Sequence, residues 1–282
     1  MTDDHSPTLR LRRLGHELRR LREDKGLTIR EAAAQLEWSA AKISRIESGH
    51  TKRVDVQNIR ALCGLYGVTE QGFVETLLAL AREAKQRGWW QAYQDIIEGP
   101  YVGLESEAST IRTFQLGCIP GLLQTAEYAA AITRAASVRD PEEVERRVGM
   151  RMKRQEVLGR AAPPQFWAVI DESAVLRPVG GRETHEAQLR KLIDTYSLDH
   201  VKVQILPLAA GEHAGLTGQF VILDFPEITD RSVVYLETAT EGLYLEEAPQ
   251  LKRYNVLFQH VCASALSVEA SITHLSNLID KL

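Results

Sequence analysis

Long apolar runs are absent from this sequence. Nothing approaches the roughly 20 residues that a helix needs to cross a bilayer. The opening stretch, MTDDHSPTLRLRR, is charged where a secretory signal would carry its apolar core. The expectation is a cytoplasmic protein without membrane contact. Cysteine is scarce: Cys63, Cys118 and Cys262 stand far apart. They fit no metal-ligand spacing and no disulfide framework, so neither a metal nor a cofactor is expected. Runs of glycine, serine and proline are also missing, which argues against a flexible linker. Catalytic signatures are lacking too. Ser, His and Asp fall in no triad order, and no glycine pattern cradles a phosphate. The acids Asp171, Glu172, Glu237, Glu241, Glu246 and Glu247 and the lone His213 form no reacting constellation, so no enzyme activity is expected.

A large net charge is the last absence. The balance of −4 excludes a protein that binds polyanions over its whole surface. The charge is uneven, however. Residues 1–60 hold 13 Lys and Arg against 9 Asp and Glu, or +4; the remainder holds 21 against 29, or −8. A basic head on an acidic body favours nucleic acid at one end only. With 282 residues, the chain has length for one large domain or two ordinary ones.

The most informative stretch is Thr28 to Gly49, TIREAAAQLEWSAAKISRIESG. Thr28 with Glu31 three residues on has capping-box spacing, and Ser39 can cap a second helix. Gly49 suits the left-handed position that ends it. Only Glu37-Trp38 remains between the helices, which is a turn. Two short helices joined so tightly form a helix-turn-helix, whose second helix fits the major groove. At about 100° per residue, Ile43 and Ile46 mark the buried side of that helix. Ala41, Arg45 and Ser48 then face outward, flanked by Ser44 and Lys42. Small residues, hydroxyls and cations allow close approach to base edges. Arg45 can donate two parallel bonds to a guanine. A solvated face of a small helical domain is the plainer alternative.

Leu27-Thr28, Ala32-Ala33, Ile43-Ser44, Ile46-Glu47, Gly49 and His50-Thr51-Lys52-Arg53 resemble the phage-repressor/Cro-like (Xre) helix-turn-helix domain over about residues 9–70. The resemblance implies base reading by Ser39, Ala40, Ala41 and Arg45, and the outward face itself adds Ser44. The resemblance implies phosphate binding by Thr28, Lys52 and Arg53, with the neighbouring cations Arg30 and Lys42 as further phosphate candidates. It also implies a structural ion pair between Arg22 and Glu47. Alanine stands at 40 and 41 where the family commonly has glutamine, so two amide readers are missing.

Around that stretch, residues 9–25 read as a helix with Leu11, Leu14, Leu18 and Leu21 inward. A fourth helix follows Asp55, with Ile59, Leu62, Leu65 and Tyr66 inward. A fifth begins near Gly67 and carries Phe73, Leu77, Leu80 and Ala81. The boundary is placed at residue 85, giving domains 1–85 and 86–282. Trp89, Trp90 and Tyr93 read either as packing or as candidate ligand or partner contacts.

The second region predicts a helix from Ala126, a long basic helix from Asp140 to about Arg160, and helices over 184–198, 248–263 and from Ser267. Strands are expected at Phe166–Ile170, Val201–Ile205, Phe220–Phe225 and Val233–Leu236. The loop Ala209–Gly218, with His213, reads as a hairpin connection or as a lid or partner contact. The fold class is therefore a mainly α, five-helix head followed by an α+β domain with a small, mostly antiparallel sheet.

Leu104-Glu105-Ser106-Glu107-Ala108, Pro120-Gly121-Leu122-Leu123-Gln124-Thr125, Tyr128-Ala129, Arg151, Arg154-Gln155, Asp171-Glu172, Arg177-Pro178-Val179-Gly180-Gly181 and Ala265-Leu266-Ser267 resemble the C-terminal domain of WhiJ-like, antitoxin-like regulators. The resemblance implies a DNA-binding transcriptional regulator, usually a repressor, whose second domain senses a ligand or a short partner protein encoded nearby. The alternative is an antitoxin-like protein that neutralises a partner and autoregulates its own promoter. Either reading expects double-stranded DNA with an inverted-repeat operator, a homodimer, and location on the nucleoid when bound.

Overall fold

The computed structural model describes residues 7–49, 51, 54–83, 89–93, 95–96, 99–227, 230–238 and 241–282. The chain divides into two compact units, Met1–Ala92 with Pro100–Glu107, and Tyr93–Gly99 with Ala108–Leu282. The boundary expected at residue 85 lies outside the described residues.

The first unit contains α1 (Pro7–Asp24), α2 (Ile29–Gln35), α3 (Ala40–Glu47), α4 (Val56–Tyr66) and α5 (Gln71–Glu83). A sixth helix, α6 (Tyr101–Glu107), joins them by packing on α1. The five expected helices are thus present, and α6 adds a piece from beyond the expected boundary. Leu14 and Leu18 of α1, Ile43 of α3, Ile59 and Leu62 of α4 and Leu78 of α5 are fully buried in one core. Each such side chain contributes about 1.5–3 kcal/mol on leaving water. Gly67 does not begin α5; it ends α4 in the left-handed region with φ 77°.

Local signals set these helix ends. The Thr28 hydroxyl accepts from the Glu31 amide, and the Glu31 carboxylate accepts from the Thr28 amide at 2.8 Å. Ser39 accepts from the Lys42 amide at 3.2 Å. Between α2 and α3, Glu37 has φ 53° with an exposed side chain. A side chain's Cβ crowds the following carbonyl oxygen in that region. Glu37→Gly is therefore expected to stabilise the first unit by about 0.5–1 kcal/mol, relief of strain exceeding the added freedom of the unfolded chain. Thermal unfolding by circular dichroism checks this, and an unchanged or lower midpoint would refute it.

The second unit is built on one six-stranded sheet: β1 (Thr110–Gln115), β2 (Gln165–Asp171), β3 (Val201–Leu206), β4 (Phe220–Asp224), β5 (Val233–Glu237) and β6 (Gly242–Leu245). Their order is β3-β2-β1-β4-β5-β6. Pairs β1–β2 and β2–β3 are parallel; β1–β4, β4–β5 and β5–β6 are antiparallel. The sheet is thus mixed and larger than expected, with antiparallel pairs only a narrow majority. The four expected strands are present, and β1 and β6 are additional.

β1 and β2 bury both faces, as parallel strands do. Phe114, Val169, Phe220 and Val234 share a core with Phe258 and Val261 of α11 (Ala248–Ser264). Ile111, Ala168 and Ile170 alternate with them and are equally buried. The remaining helices are α7 (Ala126–Ala135), α8 (Pro141–Gln155), α9 (Glu172–Leu176), α10 (Arg182–Asp194) and α12 (Val268–Ile279). α7 packs on α8 and α10, and α12 packs on α10 and β3. The segment after β3 is not a hairpin, because β3 lies at one edge and β4 beside β1. It is a crossover built from two 3-10 turns, Leu208–Ala210 and Ala214–Thr217. No single described helix is long and apolar enough to span a membrane.

Candidate nucleic-acid interface

α3 presents two opposed faces. Ile43 and Ile46 are buried, while Ser39, Ala41, Ser44, Arg45 and Ser48 are exposed. The Arg45 guanidinium has no ion pair among the described residues. A small, hydroxylated surface with one uncommitted cation can enter a major groove and bring the guanidinium to a base edge. Ala40 is half-buried and packs on the core, because it occupies the first turn on the inward side.

The backing of α3 is polar as well as apolar. Arg22 of α1 is 6 % exposed and Glu47 of α3 7 %. The Arg22 Nε donates to Glu47 Oε1 at 2.8 Å, and Nη2 to Oε2 at 2.9 Å. Nη1 donates to the Leu27 carbonyl at 2.7 Å. The hydrogen bonds to Glu47 hold the Arg22 pKa up. Burial, reinforced by the Glu47 charge, drives the Tyr66 phenol well up, and its hydroxyl donates to Glu47 Oε1 at 3.3 Å. The expected ion pair is present and joins α1, α3 and α4.

Among the expected phosphate binders, Arg30 is exposed and has no ion pair among the described residues. Thr28 is exposed, but its hydroxyl also donates to Glu31 at 2.8 Å and belongs to the capping box. Lys42 is half-buried. Its Nζ lies 3.5 Å from the Trp38 ring centroid and donates to Asn58 Oδ1 at 3.1 Å. Lys52 and Arg53 lie outside the described residues.

Trp89 and Trp90 are half-buried and meet edge to face, with centroids 6.1 Å apart. Tyr93 belongs to the second unit, where the Arg146 guanidinium lies 5.9 Å from its ring. His213, the other candidate ligand or partner contact, is largely enclosed. Its side chain is 5 % exposed, 3.8 Å from the Asp171 carboxylate and edge-on to Phe114. Its Nδ1 accepts from the Gly215 amide at 3.2 Å, so it pins the crossover after β3. The basic residues of α8 are largely answered within the protein: Arg146 by Asp95, Arg147 by Glu143, and Lys153 by Glu156.

The Pro120–Thr125 segment is held by neighbouring helices. Arg151 donates to Gln124 Oε1 at 2.6 Å, and Lys191 to the Gln124 carbonyl at 2.7 Å. Gln155 donates to the Gly121 and Gln124 carbonyls, and Gln188 to that of Leu123, each at 2.8 Å. Burial lowers the pKa of both Arg151 and Lys191. Among the described residues, no group of three or more His, Cys, Asp or Glu side chains could hold a metal ion.

Three features of the first unit had no signal in the sequence. Gly15 is the contact point of α1 on α3, where a Cβ would lie 2.5 Å from the Glu47 carbonyl oxygen. Asn58 and Trp38 converge on Lys42, and α6 lies on α1. Residues 13–73 match the family described as a helix-turn-helix domain, and residues 99–277 match a domain of unknown function (DUF5753). No curated protein and no solved structure matches the chain.

Proposed function

We propose that this chain, which belongs to the DUF5753 family and carries a helix-turn-helix domain in front of it, is a sequence-specific transcriptional regulator. The observation that carries this reading is the outward face of α3: Ser39, Ala41, Ser44 and Arg45 exposed together, opposite Ile43 and Ile46. One short recognition helix reads too few base pairs for genomic specificity, so the acting form is a homodimer on an inverted repeat. Repression follows from the resemblance to WhiJ-like regulators. No reaction is assigned to the chain.

The second domain is the regulatory one in this reading. α6 supports that role. It lies within the DUF5753 stretch, yet it packs on α1 inside the DNA-binding unit. It also runs, with only Ala108 and Ser109 between, into β1. A ligand or partner that biases the sheet has a covalent route to the helix behind α3.

Selection of bound duplexes from random-sequence DNA by the full chain tests the function. An enriched inverted repeat is expected, with half-sites about one helical turn apart. Arg45→Ala should lower affinity for that operator by about 10- to 100-fold, or ~1–3 kcal/mol, and relax the preference at one base step. Equal loss on operator and random DNA would instead make Arg45 a phosphate contact. Failure to enrich any sequence would remove the reading.

A further inference from the structure

Among the cations of the helix-turn-helix, Lys42 has a distinctive setting. Its side chain leaves the first turn of α3 and is half-buried. The ammonium sits 3.5 Å from the centre of the Trp38 ring, in the turn before α3. The same nitrogen donates to Asn58 Oδ1, 3.1 Å away in the first turn of α4. Arg30 and Arg45, by contrast, are exposed.

A cation held against an aromatic face and an amide oxygen has exchanged water for two fixed partners. Drawing the ammonium outward to a phosphate beyond its present reach would give up one or both of them. Trp38 also packs on the core of the unit, so one end of the contact is anchored. Asn58 neighbours Ile59, which is fully buried, and Asp55 caps the same helix by accepting from the Gln57 amide. Both partners thus sit on rigid parts, and Lys42 links them through the amino-terminal turn of α3. That turn carries Ala41 and, one turn on, Ser44 and Arg45. Its angle decides how deep these residues enter a groove.

We propose that Trp38, Lys42 and Asn58 form a clamp that sets the angle of the recognition helix, with Lys42 a positioning residue and not a phosphate contact. This rests on the reading of α3 as the recognition helix. It assigns roles in DNA recognition to Asn58 and Trp38, which need touch no DNA. It also predicts a particular signature. A lost phosphate contact weakens binding to every sequence and makes the salt dependence shallower by roughly 0.9 in the log–log slope. A misplaced recognition helix weakens the operator and leaves random DNA and the slope almost alone.

The test uses the full chain, its selected operator and a random duplex, with affinities measured over a range of salt. Asn58→Ala removes no charge, so it is the cleanest probe. It should lower operator affinity about tenfold, leave random-DNA affinity within twofold, and keep the salt slope. Trp38→Phe should cost less, since an aromatic face remains. Lys42→Arg should retain most of the affinity, because a guanidinium can stack and donate as well. Asn58→Ala added to Lys42→Met should cost the operator little beyond Lys42→Met alone. Thermal midpoints of all variants identify any that misfold, and Lys42→Arg with Trp38→Phe then decide the matter.

The proposal is overturned if Asn58→Ala leaves operator affinity unchanged or raises it. It is equally overturned if Lys42→Met weakens both duplexes together with a shallower slope while Asn58→Ala does not. Arg45→Ala, measured alongside, separates this failure from that of the function. Loss of operator preference in Arg45→Ala with no effect of Asn58→Ala defeats the clamp alone. No effect of Arg45→Ala defeats the assignment of α3 itself.

Discussion

Gly15→Val is expected to unfold the DNA-binding unit or come close to it. Gly15 lies on α1 where that helix crosses the end of α3. A Cβ there would stand 2.5 Å from the Glu47 carbonyl oxygen and 2.6 Å from that of Ile46. Both obstacles are backbone, so no rotamer change relieves them. α1 must move away from α3, opening the core around Leu14, Leu18, Ile43 and Ile46. Overpacking of this kind costs about 3 kcal/mol or more. In a unit of this size that is a fall of roughly 12–24 °C in the thermal midpoint. Operator binding should be lost with it, because α3 loses its support. Gly64→Ala is the matched control. Gly64 is also helical, on α4, but has open space where its Cβ would go. Alanine there should stabilise by about 0.5–1 kcal/mol through helix propensity. Gly15→Ala already places a Cβ against the same two carbonyl oxygens and should destabilise, so alanine has opposite signs at the two positions. If Gly15→Ala behaves like Gly64→Ala, α1 and α3 do not approach so closely.

Glu47→Ala is expected to be nearly as severe, at about 3–5 kcal/mol. The loss is less that of an attraction than the exposure of a fault. Arg22 would remain buried with its hydrogen bonds to Glu47 lost and only the Glu23 carboxylate, 3.6 Å from Nη2, left to answer it, and the Tyr66 hydroxyl would lose its acceptor. Arginine does not escape by releasing its proton. The double replacement Arg22→Met with Glu47→Leu removes the stranded charge together with the pair. It should cost clearly less than Glu47→Ala, because apolar groups of similar size can fill the site. Denaturant unfolding of the three proteins checks the order. A single variant milder than the double one would show that the pair is not buried as described.

The two units differ in how far they could be read in advance. Helix caps act over three or four residues, so Thr28, Ser39, Asp55, Thr125, Asp140 and Ser267 marked their helices correctly. Apolar stripes at helical spacing placed Leu14, Leu18, Ile43, Ile46, Ile59 and Leu62 in the core. The outward face of α3 followed from the same periodicity. Strand β1, Thr-Ile-Arg-Thr-Phe-Gln, was hidden for an opposite reason. Its Arg112 looks too polar for the middle of a sheet. In the fold, that guanidinium donates to Asp224 at 2.8 Å and Asn255 at 2.6 Å, partners more than 100 residues away. His213 was hidden likewise, since Asp171 and Phe114, which enclose it, come from other strands.

The sequence by itself determined the helix-turn-helix, its caps, the outward face of its second helix and most of the helices around it. These follow from rules that act within one or two turns of chain. Only the tertiary structure decided the mixed topology of the sheet, the capture of Lys42, the close approach at Gly15 and the membership of α6 in the first unit. Each depends on groups distant in sequence coming within bonding or contact distance. A charged or small side chain has no fixed meaning until its neighbours are known. Lysine reads as a DNA contact while its surroundings are taken to be water, and as a fastener once an indole and an amide are found beside it.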